Sequence, residues 1–182
     1  MKKKLCLLLS ICLMVTATLT GCLVPAPKKN SVIGETYQSS DFEFTVNAVE
    51  MSEYLNDATT SDDFLKPVDE DYVNTLNNPY MKAYKEEHVL VYVSFNVKNI
   101  SKSDQTFDKI GVIDFDNGYE YDDCSIYCKN EGGVWTDFSL VKIPQLIDET
   151  YEIRGCIQVP KEVMTSDKSL TYTLFGREFT LR

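Results

Sequence analysis

The sequence predicts a mainly β protein, an antiparallel β-sandwich with a short, partly helical insertion. Three observations predict it. Apolar and polar residues alternate with period two in several stretches after residue 36, the signature of strands with one buried face. Glycine, proline and asparagine cluster between those stretches at positions suited to tight turns. All 21 aromatic residues (11 Tyr, 9 Phe, 1 Trp) also follow residue 36, so the bulky core formers belong to that region alone. A chain of 182 residues has room for one such domain.

The N-terminus reads as an address. Lys2, Lys3 and Lys4 precede an apolar run from Leu5 to Leu19, a secretory signal pattern too short to span hydrocarbon as a helix of about 20 residues. Leu19, Thr20, Gly21 and Cys22 follow, small residues before a cysteine that resemble the bacterial lipobox. That resemblance implies cleavage of residues 1–21 and diacylglyceryl attachment to the Cys22 sulfur, and two acyl chains hold a protein to a membrane where one does not. Cleavage leaves 161 residues and takes the net charge from −10 to −13. Residues 22–34, with Pro25, Pro27, Lys28 and Lys29, show no apolar period and are expected to be a flexible tether. The expected location is extracytoplasmic, on the cell membrane.

Strands are expected from residue 35 onward. Phe42, Phe44, Val46 and Ala48 alternate with Glu43, Thr45 and Asn47. The strongest strand follows, with Val89, Val91, Val93, Phe95 and Val97 on one face and Leu90, Tyr92, Ser94, Asn96 and Lys98 on the other. Val112, Ile113 and Phe115 run into Asp116, Asn117 and Gly118 and return through Tyr119 and Tyr121, a hairpin in which Asn-Gly supplies the positive φ. Tyr151, Ile153, Ile157 and Val159 form a strand closed by Pro160. Leu170, Tyr172 and Leu174 turn at Gly176 and Arg177 toward Phe179 and Leu181. Residues 56–87 break the pattern and read as an insertion over one edge of the sandwich. Within it Asp69, Glu70 and Asp71 open one helix, and Pro79 opens another toward Tyr84.

The series Gly34-Glu35-Thr36, Phe42 to Val49, Val89 to Asn99 with its Val97-Lys98-Asn99 ending, Asp114 to Gly118 and Gly155 to Pro160 resembles a family of bacterial lipoprotein domains of unknown function. The resemblance covers most of residues 32–182. It implies an immunoglobulin-like β-sandwich similar to telokin and to a mycobacterial secreted antigen, and it carries no catalytic residues.

Six cysteines divide into Cys6 and Cys12 in the signal segment, Cys22, and the three disulfide candidates Cys124, Cys128 and Cys156. In an oxidising compartment, one disulfide with one cysteine left over is the expectation, with all three pairings open. Cys156 falls on the polar phase of its strand, so a bridge there is expected outside the core. An immunoglobulin-type Cys124, Trp135, Cys156 set is rejected, because only 31 residues lie between the cysteines and Arg154 stands where the corner tyrosine belongs. The single histidine, His88, reads as an exposed residue at a strand start, which leaves zinc sites and histidine-based nucleophiles little support.

Asp114, Asp116, Asn117, Gly118, Glu120, Asp122 and Asp123 gather oxygen ligands around one turn, but Gly118 and Ser125 fall out of step with an EF-hand loop. A solvated hairpin tip is the favoured reading, and a calcium- or metal-responsive sensor the alternative. Phe64, Tyr72, Tyr80 and Tyr84 are assigned to packing of the insertion rather than to a glycan or peptide surface. The Asn99-Ile100-Ser101 triplet is discounted as a glycosylation site in a bacterial chain. Excess acid excludes nucleic acid as a partner. The expectation is a non-catalytic, cofactor-free binding or scaffolding module, joined to the membrane through Cys22 and meeting an unknown protein or cell-wall partner.

Overall fold

Alternation of side chains along extended backbone places the elements in two facing sheets. The computed structural model describes residues 29–58, 61–75, 80–145 and 149–182. Residues 1–21 and Cys22 lie outside them. In chain order the first elements are β1 (Lys29–Ser31), β2 (Thr36–Gln38), β3 (Phe42–Ser52), β4 (Tyr54–Asn56), β5 (Pro67–Val68), α1 (Glu70–Thr75) and β6 (Tyr80–Lys82). Then come β7 (His88–Asn99), β8 (Gln105–Phe107), β9 (Val112–Phe115), β10 (Tyr119–Tyr121), β11 (Cys124–Lys129), β12 (Trp135–Phe138) and β13 (Val141–Ile143). β14 (Tyr151–Pro160), α2 (Lys161–Thr165), β15 (Leu170–Leu174) and β16 (Arg177–Thr180) complete the chain.

One sheet has the order β12-β11-β14-β7-β3-β2 and the other β1-β16-β15-β9-β10. Between them lies a core of Phe44, Val91, Phe95, Ile113, Ile157, Tyr172, Phe179 and their neighbours, all buried. The fold is the β-sandwich that the alternation predicts. One pairing is not antiparallel: Lys29–Ser31, expected in the flexible tether, run parallel to Arg177–Phe179 and extend the sheet, so the domain begins six residues before residue 35.

β7 organises the larger sheet, pairing with β3 over ten residues and with β14 over ten more. Along β3 the register shifts between Val46 and Ala48, a bulge that leaves Asn47 without a cross-strand partner. The extra residue reverses the phase. Phe42, Phe44 and Val46 point into the sandwich, whereas Ala48, expected with them, packs on the opposite face and Val49 and Met51 take over the inner one.

Close approach fixes two glycines. A Cβ on Gly155 would sit 2.2 Å from the Ser125 carbonyl oxygen and 2.7 Å from Ile110 Cδ1, so β14 and β11 can pair here only without a side chain. Gly111, with φ +112, lies against the Tyr172 ring, where a Cβ would come within 2.5 Å. That ring is fully buried, and its hydroxyl donates to the Ile110 carbonyl.

The turns differ in detail from expectation. In the β9–β10 hairpin Asp116 and Asn117 carry the positive φ values, 55 and 54, rather than Asn117 and Gly118. In the β15–β16 hairpin the two-residue loop is Phe175-Gly176, at φ 48 and 74, not Gly176-Arg177. Left-handed backbone is costly for a bulky residue. The Phe175 ring is held in place by stacking on Phe42 at 4.6 Å and edge contact with Phe44 at 5.0 Å. The helix at Asp69 forms, with Asp69 Oδ1 accepting from the Tyr72 N–H. Its expected sequel from Pro79 does not, because Tyr80–Lys82 pair with Tyr54–Asn56 as a strand.

Candidate functional site

The insertion does not sit on an edge. It covers the outer face of the six-stranded sheet, where Leu55, Phe64 and Leu65 close over Leu90, Tyr92, Trp135 and Cys156 in a second, smaller core. The polar phase of β14 therefore turns inward under the insertion. Arg154, only 6% exposed, carries the join. Its guanidinium donates to the carbonyls of Asp62 at 2.9 Å and Phe64 at 2.6 Å. Nε bonds Glu152 Oε1 at 2.8 Å and Nη2 reaches the same oxygen. The plane also lies over the Trp135 ring, 4.5 Å from its centre. Burying a cation requires compensation of this kind, so one side chain holds the loop 62–64, the sheet and the tryptophan together.

A cavity of about 600 Å³ opens at the Cys128–Lys129 end of β11. Cys128 and Phe138 form part of its floor with Val141 and Tyr151, and Leu140, 52% exposed, stands at its rim. Lys129, Glu131, Lys142 and Glu149 supply charge around that apolar floor. Tyr151 donates to Glu149 at 3.2 Å, and burial with the Glu149 charge raises its hydroxyl pKa above the ordinary range. Apolar walls with a few polar groups suit recognition of a partially apolar ligand or segment. Tyr151 pairs with Val97, Phe42 with Asn99, and Phe42 stacks on the Phe175 turn beside Arg177 and Lys29. The cleft thus lies at the end of the sandwich where β1 begins.

The disulfide expectation fails, since Cys124, Cys128 and Cys156 are free thiols. β11 is extended from Cys124 to Cys128, and four strand steps of about 3.3 Å hold their Cα atoms well beyond the ~7 Å limit for a bridge. Cys156 lies across from Ser125, and its side chain belongs to the outer core while Cys124 and Cys128 belong to the inner one. The sheet itself separates them. Nor is Cys156 outside the core, as its phase suggested: it is 4% exposed and its thiol meets Met81 Sδ at 3.5 Å. Burial raises all three thiol pKa values, that of Cys156 to about 12, so none is a ready nucleophile.

The acidic turn disperses its carboxylates. Asp114 Oδ1 accepts the Gly118 N–H at 3.1 Å, Asp116 pairs with Lys168 at 2.8 Å, and Asp122 pairs with Lys109. Asp123 accepts from Tyr84 and lies 3.4 Å from Lys85, contacts that lower its pKa. Among the described residues no group of three His, Cys, Asp or Glu side chains is arranged to hold a metal ion. Asn99 is buried and spends its amide on the carbonyls of Ser103 and Ile143. Of the insertion aromatics, Phe64 packs edge-on to Tyr127 as expected, whereas Tyr84 is 70% exposed. The roles of Arg154 and Trp135 escaped the sequence reading. The available signal was an arginine flanked by Ile153 and Gly155 in mid-strand, a position that tolerates charge only under a cover.

No family model matches the chain, and no curated protein does. Among solved structures it is similar to an uncharacterized β-sandwich protein from Clostridium difficile 630, whose crystal structure extends to 1.90 Å resolution. The TM-score is 0.56 and the identity 25%, over 85% of this chain and 95% of that one. Both are β-sandwiches. Among the described residues no helix is long and apolar enough to cross a membrane.

Proposed function

We propose that the chain is a lipid-anchored, extracytoplasmic binding or scaffolding module without catalytic activity, of the telokin-like, secreted-antigen-like lipoprotein kind that its sequence resembles. The observation that carries this reading is Cys22 in its context: three lysines, the 15-residue apolar run and Leu-Thr-Gly stand before it, and β1 begins at Lys29. Seven steps of chain from Cys22 to Lys29 reach at most about 25 Å. The tether is short, and it delivers the chain to the end of the sandwich that carries the 600 Å³ cleft. A protein or cell-wall segment bound there is held close to the bilayer.

Replacement of Cys22 tests the anchor. In cells given labelled palmitate, the full chain incorporates label and fractionates with membranes, and Cys22→Ala is unlabelled and either unprocessed or shed. A Cys22→Ala chain that is trimmed normally and stays on the membrane overturns the anchor. In-cell photocrosslinking from Leu140 tests the cleft, with exposed Thr180 on β16 as the reference position. Recurrent adducts from position 140 alone support it, and equal or no adducts from both overturn it.

A further inference from the structure

A second, smaller cleft of about 260 Å³ lies at the opposite end of the six-stranded sheet, where β7 begins and β14 ends. Backbone bonds shape it: the His88 N–H donates to the Lys85 carbonyl and the Lys161 N–H to that of Glu87, both at 3.0 Å. Lys82, Lys85 and Lys161 line it, together with His88, the one histidine in the sequence, and Glu53 and Glu86. Three cations and an imidazole around one cavity stand out on a chain of net charge −10.

We propose that this cleft binds a small oxyanion of the phosphate or carboxylate class. His88, whose Nδ1 is buried without a hydrogen-bond partner, stands among the lysines on the cavity wall. The lysines are pre-positioned rather than loose: Lys161 lies 3.5 Å from Glu53, Lys85 lies 3.4 Å from Asp123, and Lys82 reaches over the Tyr54 ring at 5.5 Å. An anion entering between them exchanges these contacts for charge-assisted bonds to the lysines, beside the imidazole. Glu53 and Glu86 on the same walls, with Glu87 beside them, set the size class, since a long polyanion would meet them and the acidic surface beyond. The volume, set against about 30 Å³ per liquid water, holds one tetrahedral or planar oxyanion with part of its hydration. This site stands apart from the larger cleft and does not depend on the anchor.

The lone histidine makes the test specific. The imidazole C–H resonances of the full chain in detergent micelles are followed at fixed pH during titration with inorganic phosphate or acetate, against chloride at matched ionic strength. A saturable shift with phosphate, acetate or both supports the site and says which class it takes. Lys161→Met and Lys82→Met are each expected to weaken the response by about fivefold, the size of one exposed charge pair, while Lys168→Met, before β15 and paired with Asp116, leaves it unchanged. A response no different from that to chloride, or one that the Lys161 and Lys82 variants leave intact, overturns the proposal.

Discussion

The two faces of the six-stranded sheet are buried by different means. Inside the sandwich, Val91, Val93, Phe95 and Val97 meet the other sheet in a continuous apolar core. Outside, Leu90 and Tyr92 on the same strand are covered by the insertion, whose β4 and β6 have three residues each and whose β5 has two. The outer layer also carries strain and several unmet polar atoms. Leu65 is buried at φ 46, and Asp57 Oδ1, Trp135 Nε1 and Gln158 Oε1 are buried without a hydrogen-bond partner among the described residues. Inside, the Tyr172 hydroxyl has its acceptor. Regions with short strands and unmet polar groups open at lower free energy than the global transition. The difference implies a self-sufficient sandwich and a covering layer that can detach from it.

The largest effect separates two equally buried phenylalanines. Phe95→Ala is expected to cost about 3–5 kcal/mol of global stability, because it opens a cavity between two sheets that cannot close over it. Phe64 is as deeply buried, at 1% exposure against 0%, but the cost of Phe64→Ala is limited by the free energy of releasing the insertion alone. Denaturant unfolding should therefore show a much smaller midpoint shift for Phe64→Ala, with faster tryptic cleavage at Lys82. Equal midpoint shifts would mean that both layers unfold as one unit and would end the comparison.

Next in size is Arg154→Met, which keeps the apolar stem and removes the guanidinium. The Asp62 and Phe64 carbonyls lose their donor and Trp135 the nearer of its two cations, Lys129 remaining at 5.2 Å, at about 2 kcal/mol in all, charged to the outer layer. Hydrogen exchange should quicken at Asn56 and Leu65, whose N–H groups bond within the insertion, and stay slow at Val93 and Phe95. A uniform increase across β7 would contradict a detachable cover.

How much of this was readable beforehand follows the same division. The inner faces of β3, β7, β14 and β15 were legible, because alternation with β-branched and aromatic residues reports burial against another sheet directly. The bulge at Asn47 was not, since a one-residue insertion leaves no mark in composition, and Ala48 was placed on the wrong face as a result. The outer burial of Leu90, Tyr92 and Cys156 was hidden because half-burial and burial under a separate segment give the same local pattern. Positive φ at Asp116 and Phe175 was misplaced by one residue in each hairpin, as glycine marks a turn without fixing its register. Both clefts join residues far apart in sequence, 128 with 140 and 151, and 53 with 88 and 161, so neither had a local signal.

Thiol chemistry reports on the two layers with the least perturbation. Mass-spectrometric mapping after brief alkylation of the native chain should modify Cys124 first, since it is only half-buried, and Cys128 and Cys156 later. Cys156 should be slowest, because burial raises its pKa to about 12, against an ordinary 9.0, and leaves almost no thiolate at pH 8. Its folded-state pKa lies above the unfolded value, so its contribution to stability is full below pH 9 and is lost as pH rises toward 12. Mild alkali should then raise Cys156 alkylation more than thiolate chemistry alone predicts, because the layer over it loosens as well. Introducing Arg154→Met should speed Cys156 and leave Cys128 unchanged, for the two thiols lie on opposite faces of the sheet. If Cys128 quickens in step, the guanidinium supports both cores, and the cover is an integral part of the sandwich.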